Sequence, residues 1–176
     1  MEEGRSILTE WVKRVYETVK ASGANRELLI RVSTNLEASL SAGMDIEEWI
    51  RKGIVDTLVV QDRPSIVNQM ADFRPLVKAA RNSRTRILAA IQNVANTARV
   101  DVETVEMVRA TACNYWAQGI DGLFLDRGWF LDPAQLGPSS QVPREGSVLW
   151  VVLHPPPSPD MISSFSFWTS IFCLLG

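Results

Sequence analysis

The chain has 176 residues, 18 of them basic and 20 acidic, for a formal net charge of −2, and its length suits one medium domain. With 46% hydrophobic and 22% charged residues, it has the composition of a globular protein rather than a disordered or fibrous one. No basic block exists to neutralise phosphates, so nucleic acid is not an expected partner.

Residues 6–21 place Ile7, Leu8, Trp11, Val12, Val15, Tyr16 and Val19 on one face at helical spacing, and Gly23 stands where a helix would stop. Trp11 reads as a packing residue in this stripe, as do Trp49 and Trp116 in theirs. The apolar run 27–32 predicts a first strand. Two short helices follow over 36–42 and 45–52, parted by Gly43, with Asp45 as N-cap and Ile46, Trp49 and Ile50 facing inward. A second strand spans 55–60 and closes on Gln61, Asp62, Arg63 and Pro64. A helix over 73–81 then buries Phe73, Leu76, Val77 and Ala80, with Asp72 as N-cap and Pro75 in the first turn. Residues 86–91 predict a third strand. The clearest helical pattern covers 102–118, where Val105, Val108, Ala112, Tyr115 and Trp116 share a face. Glu103 and Glu106 favour its N-terminal end, and Gly119 its C-terminal end. Residues 122–125 predict a fourth strand.

Apolar strands alternating with helices predict an α/β fold whose parallel sheet is covered on both faces. Leu29, Leu58, Leu88 and Leu123 mark the strand centres at about 31 residues per unit, and eight such units make a barrel of about 250 residues. The chain therefore reads as a partial (β/α)8 TIM barrel of about four βα units. A small doubly wound parallel sheet is the alternative.

The composition breaks near Asp132. Residues 133–176 keep only Arg144, Glu145 and Asp160 among the charged residues but hold seven of the nine prolines. The run 161–175 contains four serines and falls short of the roughly twenty apolar residues of a membrane span. Prolines and missing periodicity predict that 133–176 stands outside the fold of 1–132, as a chance extension would. The acidic start and the lack of an apolar leader point to a cytoplasmic protein without a membrane role.

Several chemistries are not readable. Cys113 and Cys173 form no CxxC, and His154 is the single histidine, in a Pro-rich stretch, so neither a metal site nor a Ser-His or Cys-His constellation is expected. No GxGxxG or GxxxxGK[ST] follows a strand, and no cofactor is predicted. Working residues of parallel α/β folds lie at the C-terminal ends of strands. Here those positions hold Arg31 and Ser33, Gln61 and Asp62, Gln92 and Asn93, and Asp126 and Arg127. Solvent alone also demands polar residues there. Asp62 and Asp126 are the carboxyl pair that glycoside hydrolysis would require, and Trp129 offers a face on which a sugar could stack. Arg31, Gln61 and Gln92 complete the candidate substrate-binding set.

The segment Arg31-Val32-Ser33-Thr34-Asn35, followed by Gly43-Met44-Asp45-Ile46-Glu47-Glu48-Trp49-Ile50-Arg51-Lys52-Gly53-Ile54-Val55-Asp56, resembles the central strands of glycoside-hydrolase-like TIM-barrel proteins, allied to family-10-like and α-amylase-like barrels. Tyr115-Trp116-Ala117-Gln118-Gly119-Ile120-Asp121-Gly122 is similar to their approach to a late strand. The resemblance covers about residues 27–127. It implies a hydrolase-type barrel acting on carbohydrate, of which this chain is a fragment lacking about three early strands and the last. It departs from the pattern after Arg31, where Val-Ser-Thr-Asn carries no carboxylate. The competing expectations are a half-barrel that pairs with a second copy through open sheet edges, and a truncated product without function.

Overall fold

The computed structural model describes residues 2–23, 25–62, 68–91, 94–96, 101–102, 105–125 and 151–153. In chain order the elements are α1 (Glu2–Ala21), β1 (Leu29–Ser33), α2 (Leu36–Ser41), α3 (Ile46–Lys52), β2 (Thr57–Gln61), α4 (Arg74–Ala80), β3 (Arg86–Ile91), β4 (Val94–Asn96), β5 (Asp101–Val102), α5 (Val105–Trp116), β6 (Gly122–Leu125) and β7 (Val151–Leu153). The fold is α/β. The four predicted strands pair in parallel in the order β1-β2-β3-β6, following the chain without the reversal that marks a doubly wound sheet.

Local chemistry sets the element ends. The Asn35 side chain accepts from the Ala38 N–H at 2.8 Å and starts α2, while Asp45 accepts from the Glu48 N–H at 3.1 Å and starts α3. Gly53, at φ 63°, closes α3 in the left-handed conformation that a Cβ would strain.

Strand alternation sends two residue sets to opposite faces. One face carries Val32, Leu58, Val60, Ile87, Ala89, Ile91 and Leu123, and all five helices pack on it. Val12, Trp49, Ile50, Leu76, Ala80, Ala112 and Tyr115 come from four of those helices, and Leu36 from α2. Each fully buried Val, Leu or Ile among them stabilises the fold by about 1.5–3 kcal/mol. The other face carries a smaller, separate cluster of Val59, Leu88, Ala90 and Phe124. Among the described residues, helices therefore cover one face of the sheet and not both, where the sequence predicted cover on both.

Four expectations need correction. Asp72 does not cap α4: Phe73 occupies the cap position, and Asp72 instead accepts from the Arg74 N–H and pairs with its guanidinium at 2.7 Å. The long helix begins at Val105, because Val102 pairs in a strand with Val94. Trp11 is not a core residue; it is 58% exposed, with Ile7 at 64%, since the apolar stripe of α1 is wider than the face the sheet covers. Finally, Val151–Leu153 of the Pro-rich segment pairs antiparallel with β6, so those three residues join the sheet at its edge, where strands near prolines are tolerated.

Candidate functional site

The C-terminal ends of β1 and β2 bring four of the polar residues together. Register pairs Arg31 with Val59 and Ser33 with Gln61, so Arg31, Ser33 and Gln61 share the sheet face opposite the helices. The Arg31 guanidinium reaches across that face to within 5.5 Å of the Phe124 ring centroid. At the strand ends, the Gln61 carbonyl accepts from the Thr34 N–H at 3.3 Å and ties the two loops to each other.

Asp62 is the centre of a network. One carboxylate oxygen accepts from the Thr34 hydroxyl at 2.7 Å, and the other accepts from the Asn68 amide at 2.7 Å. Asn68 is fixed in turn, its carbonyl accepting from the Tyr115 hydroxyl at 2.7 Å and its side chain from the Met70 N–H at 3.0 Å. Tyr115 is buried and stacks edge-on with Phe73 at 4.5 Å. A carboxylate on the second strand is thereby oriented by the first strand's loop, its own loop and α5. Chemically, the strand ends gather a carboxylate at Asp62, a guanidinium at Arg31 and an amide at Gln61, the donor and acceptor types that recognise hydroxyl-rich ligands.

Thr34 and Asn68 escape sequence reasoning. Thr34 sits in a polar run that contains no carboxylate, and its role appears only once Asp62 of the next strand lies beside it. Asp126, Gln92 and Trp129 fall outside the described residues, as do Asn93 and Arg127. Among the described residues, no group of three His, Cys, Asp or Glu side chains could hold a metal ion. No helix among them is long and apolar enough to cross a membrane.

The acids in the resembling segments do other work. Asp56 precedes β2, accepting from the Leu28 N–H at 2.7 Å and pairing with Lys20 at 2.8 Å. Asp121 precedes β6 and accepts from the Ile87 N–H at 2.7 Å. Each carboxylate fastens a strand start to its neighbour at the sheet end where parallel α/β folds keep stability rather than catalysis. An open cleft of about 950 Å³ lies at that end, lined by Lys20, Arg51, Lys52, Asp56 and Arg84 among others. Three of its cations are already paired, Lys20 with Asp56 and both Arg51 and Lys52 with Glu48.

No protein-family model matches the chain, and no curated protein is significantly similar to it.

Proposed function

We propose that the chain is part of a (β/α) barrel of glycoside-hydrolase-like kind whose strand-end face binds carbohydrate. The observation that carries this reading is the combination of four parallel strands in chain order, helices on one face of them among the described residues, and Asp62 held by Thr34 and Asn68 where the strands end. A barrel wraps its strands in sequence with every helix outside, which is the pattern of these four units. The contact between Arg31 and Phe124 supports the same curvature. In a flat sheet, two intervening strands would hold their backbones about 14 Å apart, and side chains standing perpendicular to it would run parallel rather than converge.

In this reading Arg31 donates to sugar hydroxyls, Gln61 both donates and accepts, and Asp62 accepts from a hydroxyl or serves as the base. Hydrolysis needs a second carboxyl across the glycosidic bond, a role for Asp126 just beyond β6. The test is calorimetric titration with a panel of neutral and acidic oligosaccharides, paired with an assay for new reducing ends. Saturable binding, lost in Arg31→Ala while cooperative thermal unfolding is retained, is expected. Any turnover should vanish in Asp126→Asn. No binding across the panel would overturn the proposal.

A further inference from the structure

The two edges of the parallel sheet are built differently. Among the described residues β1 pairs only with β2, and it carries a cation, Arg31, at its centre. β6 has no charged residue over Gly122–Leu125, and the short strand β7 lies along it. Among the described strands of this sheet, β7 alone runs antiparallel to its neighbour. Its hydrogen bonding follows from the ladder. The Asp121 N–H donates to the Ile87 carbonyl at 2.8 Å, so the backbone groups of Asp121, Leu123 and Leu125 turn towards β3, and those of Gly122 and Phe124 turn away from it. Phe124 stands opposite Val152, so these two residues exchange both bonds of their pair. Beyond Leu153 the chain continues as His154-Pro155-Pro156-Pro157, whose prolines have no N–H to add to the ladder.

We propose that Val151–Leu153 is a guard strand: it takes up the outward backbone groups of Phe124 and so keeps β6 from pairing with β6 of a second copy. Two features make a second copy the competing occupant. First, an uncharged apolar edge is the kind that pairs with another chain, whereas a charge such as that of Arg31 blunts an edge. The edge that carries a charge is the one no strand covers, and the edge without one is guarded. Second, β6 meets itself in the geometry that β7 already uses. About a two-fold axis at Phe124, two β6 strands run antiparallel, Phe124 of the second copy stands in the place of Val152, and Leu123 of each copy faces Leu125 of the other. Guard strand and second copy therefore compete for the same N–H and carbonyl. The inference rests on the sheet edge alone and stands whether or not the strand-end face binds sugar.

Sedimentation velocity and amide hydrogen exchange of the full chain test it. Val152→Pro removes the Val152 N–H and displaces β7 from the edge. The parent should sediment as a monomer of 19.6 kDa, and Val152→Pro as a dimer over the same concentrations. At a dilution that returns the variant to monomer, the Phe124 amide should exchange about tenfold faster than in the parent, while Leu123 and Leu125, bonded to β3, keep their protection. Val152→Thr retains the N–H and should behave as the parent. A monomeric Val152→Pro at every concentration would overturn the proposal, as would a parent that already forms the same dimer. So would dimerisation of Val152→Thr. Loss of protection at Leu123 and Leu125 together with Phe124 would make β7 an integral strand rather than a guard, and would overturn it too.

Discussion

The guanidinium of Arg31 on β1 lies 5.5 Å from the ring centroid of Phe124 on β6, although two strands stand between them. Phe124 is 3% exposed and belongs to the small cluster with Val59, Leu88 and Ala90, while Arg31 faces solvent at its margin. Phe124→Ala should therefore cost about 3–5 kcal/mol of unfolding free energy, and Arg31→Ala about 0.5–1 kcal/mol. Urea denaturation of both variants measures this.

Asp62 orients three segments at once, so Asp62→Ala strands the Thr34 hydroxyl and the Asn68 amide. The expected loss is about 1–3 kcal/mol, and Asn68→Ala should recover part of it when combined, because the two positions share one network. Additive losses in that cycle would contradict the coupling.

Trp49 is 2% exposed and donates its indole N–H to Thr9, a buried bond between α3 and α1. Trp49→Phe keeps most of the apolar volume and leaves the Thr9 hydroxyl unpaired, for an expected loss of about 1–2 kcal/mol. Trp49→Ala should lose about 3–5 kcal/mol through the cavity it opens. Thermal unfolding should rank the two variants in that order.

Two ion pairs give stability opposite pH dependences. Arg51, bonded to Glu48, holds that carboxyl below its ordinary range, with Lys52 adding to the effect. Its contribution is present above the ordinary carboxylate pKa and disappears as pH falls through the lowered one. Asp56, bonded to Lys20, raises that ammonium above its ordinary value, so its contribution is present below the ordinary lysine pKa and is lost as pH climbs through the raised one. Glu48→Gln should thus narrow its stability difference from the parent only in acid, and Lys20→Met only in strong alkali, as melting curves across pH would record.

Gly53 and Gly119 close helices at φ 63° and 86°. A Cβ at position 53 meets nothing within 4 Å, so the cost of Gly53→Ala is conformational alone, about 1–2 kcal/mol. A smaller or favourable change in chemical denaturation would contradict the left-handed turn.

Much of the architecture was legible because burial leaves a pattern. Arg86–Ile91 and Gly122–Leu125 coincide with their predicted strands, since short apolar runs bounded by polar or glycine residues have few other ways to be buried. Asp45 and Gly53 bound α3 as local capping chemistry requires. Errors arose where local signals compete. Asp72 has the composition of a cap but turns back onto Arg74, and Val102 fits a helical face as well as a strand. Trp11 has core spacing, yet whether a stripe is covered depends on what lies beside it in space. The site divides the same way. Asp62 could be placed at a strand end from the sequence, while its partners Thr34 and Asn68 lie 28 and 6 residues away and meet it only through tertiary packing.

The most direct test of the carbohydrate reading is an amide-resolved NMR titration of the full chain with oligosaccharides. The account predicts saturable shifts concentrated at Arg31, Ser33, Thr34, Gln61 and Asp62, absent in Arg31→Ala while the rest of the spectrum is unchanged. Shifts confined to the opposite end of the sheet, around Lys20, Asp56 and Arg84, or none with any sugar, would contradict it.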